Sequence, residues 1–441
     1  MSFGLYAPKA DRPERRLGYA RTHELLLSRM TGVGHPKALS PLAPMFFRPD
    51  CYWELFAATR KLVDLASRTL AALGKDHDSR IKALGIDPAY LPAFLPDPEL
   101  EQAYAGCMVR PDMVFGPSGL RFLELNVGSG FGGVTQTHLL QGLFAEVYGA
   151  EPGQHPKVDD PFAARARLLE TVAAERSRER SVMILGDPAE YGPDTNERMF
   201  ELEIAALRAR SFRAALILPS QLGAMPRAER YSLGIRNFSM VDWVRSGTDP
   251  EPVQTAVAEG CLLLPSQSGT MLADKRLLAL ISEGLAVRSA SDRAFVSAYI
   301  PWTRIVRDRS VDWRGRRRDL AELIGGDKDE FVLKRGMGNS GQEVTIGLDT
   351  AEPEWRIAVD AALQDCSSVV QEYVSPQPHP LELMNENGMA EEALVASILS
   401  PILMGGRPAG CYVRYIRTET RPYEVFHGNA PWSETVALPT G

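Results

Sequence analysis

Cysteine is scarce in this 441-residue sequence. Cys51, Cys107, Cys261, Cys366 and Cys411 are odd in number and scattered, with no C-x-x-C spacing. That pattern argues against a disulfide framework and fits a reducing cytosol. Long hydrophobic runs are missing too. No apolar stretch approaches the roughly 18 residues of a membrane span, and the opening MSFGLYAPKADRPERR lacks the apolar centre of a signal peptide. A soluble, cytoplasmic protein without a membrane partner is expected. Excess positive charge is also absent: 49 Lys and Arg against 56 Asp and Glu leave a net charge of −7, which weighs against a nucleic-acid partner. There are no fixed-period repeats and no low-complexity segments. G-x-S-x-G, H-E-x-x-H and the P-loop signature G-x-x-x-x-G-K-[ST] do not occur. The seven histidines are scattered and read as structural.

What is present is an ordinary globular composition on a chain long enough for two or three subdomains. Residues from about 12 to 90 read mainly as helix, with apolar residues at three-to-four spacing. GCMVRPDMVF and LRFLELNV read as strands joined by the turn GPSG. After the polar link GAEPGQHPKVDDP the pattern alternates: strand SVMILGD, helix NERMFELEIAALRAR, strand AALILP, strand FSMVDWVRSG, a helix, and strand CLLLP. Alternation of this kind predicts a small α/β unit with parallel strands. A helix TMLADKRLLALISEG, a hairpin EFVLKRGMGNSGQEVTIG, a helix and further strands complete an α/β chain with mixed sheets. The expected division is 1–165, 175–265 and 266–441.

Four stretches carry chemistry. RFLELNVGSGFGG ends in Gly128-Ser-Gly130-Phe-Gly-Gly133, which fits the G-x-G-x-x-G pattern of dinucleotide sites. Its strand, however, carries Glu124 and Asn126 two residues apart, hence on one face. Burying an unpaired carboxylate there would cost several kcal/mol, whereas a wall holding a hard cation such as Mg²⁺ explains the pair. A solvent-facing strand explains it equally well. In EFVLKRGMGNSGQEVTIG, Lys334 ends a strand before Gly336, Gly338 and Gly341, whose backbone N–H groups can approach an anion, with Asn339 and Ser340 in the turn. A plain hairpin loop is the alternative. Lys275 sits early on its helix, and Gln371 and Tyr373 share a face of SSVVQEYV. Taken together, the four stretches fit one ATP site.

These residues resemble the circularly permuted ATP-grasp ligases, most closely the eukaryotic-type glutathione synthetases, over roughly residues 105–415. RPDMVF followed by LRFLELNVGSGFGG is similar to the family's R-x-D motif, E-x-N strand and Ser-Phe-Gly-Gly loop. GPDTNERMFELEIAALRAR, VDWVRSG, LADKRLLALI, FVLKRGMGNSG and GCYVR resemble later motifs in the same order. The resemblance implies that Glu124 and Asn126 ligate Mg²⁺. It also implies that Lys275, Lys334 and the Gly338–Gly341 loop contact ATP phosphates, with Gln371, Glu372, Tyr373 and Val374 at the adenine side. Arg110, Asp112, Ser129, Glu197 and Arg245 would face the acceptor substrate, with Arg110, Lys334 and Arg245 in catalytic roles. Three departures stand out. Gly338 occupies the position of the family's metal-binding loop glutamate, for which Glu343 is the candidate replacement. Glu197 stands where the family has glutamine. The family's C-terminal Gly-Gly-Val-Ala segment is absent, so γ-glutamylcysteine is not the expected substrate.

The implied reaction is ATP-dependent amide formation between an amino-acid or peptide carboxylate and an amine, through an acyl phosphate. ATP and Mg²⁺ are the expected cofactors and a homodimer the expected assembly. An ATP-grasp phosphotransferase or a non-catalytic nucleotide-binding protein is the alternative, favoured by the absent loop glutamate. A dinucleotide-dependent oxidoreductase built on Gly128–Gly133 is a third.

Overall fold

A computed structural model describes residues 4–33, 39–149, 160–191, 197–226, 229–338, 344–419, 425–426 and 432–440. Its largest sheet has eight strands. β16 (Ala390–Met404) is the spine, and it pairs antiparallel with β15 (His379–Met384), β3 (Met108–Gly116) and β17 (Arg407–Arg417). β3 continues to β4 (Gly119–Val127), β17 to β18 (Ser433–Pro439) and then, in parallel, to β2 (Met45–Phe47). β1 (Ser40–Pro41) closes the far edge beside β15. The helix Pro49–Leu73 packs its apolar stripe on this sheet, with Tyr52, Leu55, Phe56, Leu62 and Leu65 fully buried. Each such side chain contributes about 1.5–3 kcal/mol relative to exposure. Residues 12–90 are thus mainly helical, as the periodicity predicts, apart from β1 and β2.

A second sheet runs β6 (Arg213–Ile217), β5 (Ser181–Leu185), β7 (Leu233–Arg236), β8 (Leu262–Leu264), with every pair parallel. All of β5 is buried, as a parallel strand covered on both faces must be. A third sheet runs β13 (Val344–Ile346), β12 (Phe331–Arg335), β14 (Ser368–Glu372), β9 (Thr303–Ile305), all antiparallel. Its core gathers Phe331, Leu333, Trp355 and Val370. A two-stranded ribbon, β10 (Ser310–Trp313) with β11 (Arg316–Asp319), lies beside it.

Two elements depart from the sequence reading. The segment 238–247 is not one strand: β7 ends at Arg236, and Met240–Ser246 is a helix that carries Arg245. Ser239 caps it by accepting the Asp242 N–H, and Gly247 ends it at φ 68°, so cap chemistry prevails over the apparent alternation. The segment 268–282 is two helices, Ser268–Leu272 and Lys275–Ser282. The Asp274 carboxylate accepts the Arg276 N–H and restarts the helix, which puts Lys275 at its first position.

Candidate functional site

The three main sheets converge on a cavity of about 540 Å³, within the range of small-molecule sites. Beneath it runs a polar row across one face of the eight-stranded sheet. Asn126 and Glu124 on β4 lie opposite Arg110 and Asp112 on β3. Ser400 and Ile398 on β16 lie opposite Tyr412 and Arg414 on β17, and Arg414 lies opposite Glu434 on β18. Side chains alternate along each strand and register across them, so a face reads as one row only after the strands pair.

A β-bulge interrupts that row where it matters. Asp112 pairs with Glu124 but Met113 pairs with Phe122, which leaves Leu123 outside the ladder. The freed Leu123 carbonyl accepts the Lys334 ammonium at 3.1 Å. Bulges recur beside active sites because they re-aim groups in this way. Lys334, on β12, also donates to Gln371 Oε1 at 2.7 Å, and Gln371 Nε2 donates to Thr303 Oγ1 at 3.2 Å. Burial pushes the Lys334 pKa down to about 8 in spite of the nearby Glu124 charge. Burial alone would raise Glu124, but Lys275, Lys334 and the Asn126 amide outweigh it and hold the carboxyl well below the usual range. Glu124 is therefore ionised at neutral pH. Lys275 Nζ approaches it to 3.2 Å.

The glycine loop is anchored to the same lysine helix. The Lys275 N–H donates to Gly336 O and its Nζ to Gly338 O, at 3.0 and 3.1 Å. A Cβ on Gly336 would stand 2.7 Å from Ser367 O and 2.6 Å from Arg276 Nε, so only glycine allows this approach. Gly338, Gln371, Glu372, Tyr373 and Val374 line the cavity. Asn339, Ser340, Gly341 and Glu343 lie outside the described residues.

Another part of the lining is built from arginines. Arg110 Nη2 lies 3.3 Å from Asp112 Oδ1, Arg414 Nη2 lies 2.8 Å from Oδ2, and Ser400 donates to Oδ1 at 2.7 Å. The Arg110 guanidinium also sits over the rings of Phe131 and Tyr412. Arg236 enters from the carboxyl end of β7, the usual place for ligand contacts in a parallel sheet. It is 5% exposed, donates to Thr270 Oγ1 at 2.6 Å, and has no carboxylate within ion-pair distance among the described residues. Burial lowers its pKa to about 10, which leaves it charged.

Sequence reasoning missed Arg236; the available signal was a charged residue ending the short apolar strand LGIR. The motif GCYVR contained Arg414 and Tyr412 without a role for either. Of the remaining expected residues, Arg110, Asp112, Glu124, Asn126, Lys275 and Lys334 meet in the cavity. Ser129 lies behind its wall and donates to Arg236 O at 2.6 Å. Glu197 and Arg245 are exposed and do not line it.

The Gly128–Gly133 loop has a different job from a dinucleotide loop. It follows an antiparallel hairpin, so no βαβ unit forms. Gly133 starts the helix Val134–Tyr148 at φ 91°, and a Cβ there would stand 2.6 Å from the Tyr412 ring.

With that geometry established, known proteins can be compared. No protein-family model matches the chain, and no curated protein sequence matches it. A glutathione synthetase-like effector from Globodera pallida, solved in its apo form, superposes over 99% of both chains, with a TM-score of 0.58 and 10% identity. The likeness shows a shared fold: this chain is a mixed α/β protein of glutathione synthetase-like architecture. A structure described as a γ-glutamylcysteine synthetase from Methylobacillus flagellatus matches over 82% of this chain and 84% of that one at 12% identity. Its TM-score of 0.37 is too low to carry an argument.

The donor set at β4 suits a hard cation. Among the described residues no three His, Cys, Asp or Glu side chains group as a metal cage. Glu124 and Asn126 offer one carboxylate and one amide oxygen. That set fits Mg²⁺, which takes one or two carboxylates and completes its shell with phosphate and water. No helix among the described residues is long and apolar enough to cross a membrane.

Proposed function

We propose that the protein is an ATP-dependent carboxylate–amine ligase of the circularly permuted ATP-grasp kind, acting on an amino-acid or peptide carboxylate. In this reading 1–165 and 266–441 form the ATP-grasp core, and 175–265 is an inserted substrate-binding unit. The observation that carries the proposal is one cavity lined by two lysines, an acid–amide pair and three arginines.

Lys275 and Lys334 hold the ATP phosphates, with Asn339, Ser340 and Gly341 completing the loop and Gln371, Glu372, Tyr373 and Val374 beside the adenine. Glu124 and Asn126, with Glu343, would hold Mg²⁺, which would neutralise phosphate charge. Arg110 and Arg236 orient the acceptor carboxylate, whose oxygen attacks the γ-phosphorus as the bond to ADP breaks. The amine then attacks the acyl carbon, phosphate leaves, and the amine proton passes to phosphate or solvent. Positioning and fixed charge do the work, which is why the chain needs no nucleophile. Asp112 holds Arg110 and Arg414, and Ser129 holds the strand end that bears Arg236. Glu197 and Arg245 would reach the acceptor only through neighbouring groups.

Gly338, at the position of the resembled family's loop glutamate, favours a second reading as a non-catalytic nucleotide-binding protein. One experiment separates the readings. ATP–Mg²⁺ should raise the melting temperature where NAD(H) and NADP(H) do not. A panel of amino acids and amines should then include a pair that releases ADP only when both are present. Stabilisation by ATP without any paired ADP release supports the second reading, and stabilisation by NAD(H) alone would remove both.

A further inference from the structure

Glu434 is a buried carboxyl at the end of the polar row, and the ligase reading leaves it without a role. Its Oε1 accepts the Tyr412 hydroxyl at 2.6 Å, and its Oε2 accepts nothing among the described residues. Leaving a buried carboxylate oxygen unmatched is unfavourable. Burial pushes the pKa up to about 7, against the pull of Tyr412 and Arg414. The charge here can be counted. Arg110 and Arg414 are two cations; Asp112 pairs with both, Glu434 lies opposite Arg414, and Glu124 also acts on Arg414. With Arg236 and Glu124 unchanged, this wall is one unit more positive with Glu434 protonated than with it ionised.

Among the described residues, other ionisable groups packed against β18 do not disturb that count. Tyr415 on β17 is buried, with a pKa raised far up by that burial. The helix Val134–Tyr148 brings His138 and Glu146, which face Asp160 and Arg29. β1 and β2 bring none, and no group of the helix Pro49–Leu73 acts on Glu434.

We propose that Glu434 is a positioning residue for the acceptor end: ionised, it pins Tyr412 between Gly133 and Arg110 and cancels one arginine charge. When an anionic acceptor arrives it takes up a proton from solvent, so that the released charge of Arg414 holds the acceptor. The inference rests on the reading of this end as the site of an anionic acceptor. The sign follows directly. Below about pH 7 the protonated form leaves the wall more positive and anions bind more tightly, and as pH rises through that value Glu434 ionises and the affinity falls.

The test is carbon-13 NMR of glutamate carboxyl carbons across the neutral range, with glutarate as the anionic probe. One resonance, missing in Glu434→Gln, should titrate near pH 7, and glutarate should raise its midpoint. A tenfold preference of glutarate for the protonated form moves it by about one pH unit. Calorimetry should show glutarate weakening through pH 7 in the native protein, while Glu434→Gln keeps the tight low-pH affinity at all pH values. Tyr412→Phe, which keeps the ring and the carboxyl, should raise the midpoint and serves if the first variant does not fold. An ordinary carboxylate titration, a midpoint unmoved by glutarate, or a Tyr412→Phe protein with the native midpoint would each overturn the proposal. ATP–Mg²⁺ stabilisation reports the Lys275 and Lys334 side of the cavity, so failure of the ligase reading shows there and not in this titration.

Discussion

Lys275 Nζ lies 3.2 Å from Glu124 Oε2 and donates to the Gly338 carbonyl, so one ammonium joins the β4 carboxylate to the glycine loop. The contact spans two sheets. It sets one carboxylate between two lysines, an excess of positive charge suited to a polyphosphate.

Removing that carboxylate should separate chemistry from folding. Glu124→Gln should lower paired ADP release roughly 10²–10³-fold, the scale for losing one fixed electrostatic group. The stability loss should stay below the about 3–5 kcal/mol of a fully buried pair, because the Glu124 side chain is 25% exposed. Urea denaturation and a coupled ADP assay measure the two effects. Native turnover at saturating Mg²⁺ would take Glu124 out of the metal site.

ATP affinity should depend on pH through Lys334. Its pKa is lowered to about 8 by burial, so the ammonium is present below that value and lost as pH rises through it. Calorimetry should show ATP binding weakening above about pH 8, with proton uptake on binding there. Lys334→Met should bind ATP weakly and without this dependence. A native profile flat through that range would exclude Lys334 as a phosphate ligand.

The two arginines of the parallel-sheet region should differ sharply. Arg236→Gln should cost about 2–5 kcal/mol of acceptor affinity, the range for removing one partner of a buried charge pair. Arg245→Ala, altering an exposed residue outside the cavity, should leave KM for the acceptor unchanged. ATP stabilisation should persist in both variants. The opposite ranking of the two KM values would return the carboxylate to Arg245.

Gly133→Ala should be the damaging change in the Gly128–Gly133 loop. The new Cβ meets the Tyr412 ring at 2.6 Å and the residue keeps φ 91°, for an expected loss of about 1–3 kcal/mol from overpacking, with backbone strain added. Gly128→Ala meets only a backbone nitrogen at 3.8 Å and should stay within about 0.5 kcal/mol. Equal losses by chemical denaturation would show that the ring contact does not matter.

The sequence by itself determined the local features, because these depend on neighbours within a few residues. Two-residue spacing placed Glu124 and Asn126 on one face, and helical periodicity and glycine placement located the Lys275 helix and the Lys334 hairpin. Where two local signals competed, as at 238–247, the cap residues Ser239 and Gly247 decided for a helix and moved Arg245 to the surface. Tertiary structure alone decided which charges meet. Arg236 and Arg414 lie 178 positions apart in the chain (414 less 236) and line one cavity. Glu434 became a buried carboxyl with one unmatched oxygen only through the pairing of β17 with β18. Burial and cross-strand register are properties of the assembled sheets, and no spacing within one strand encodes them.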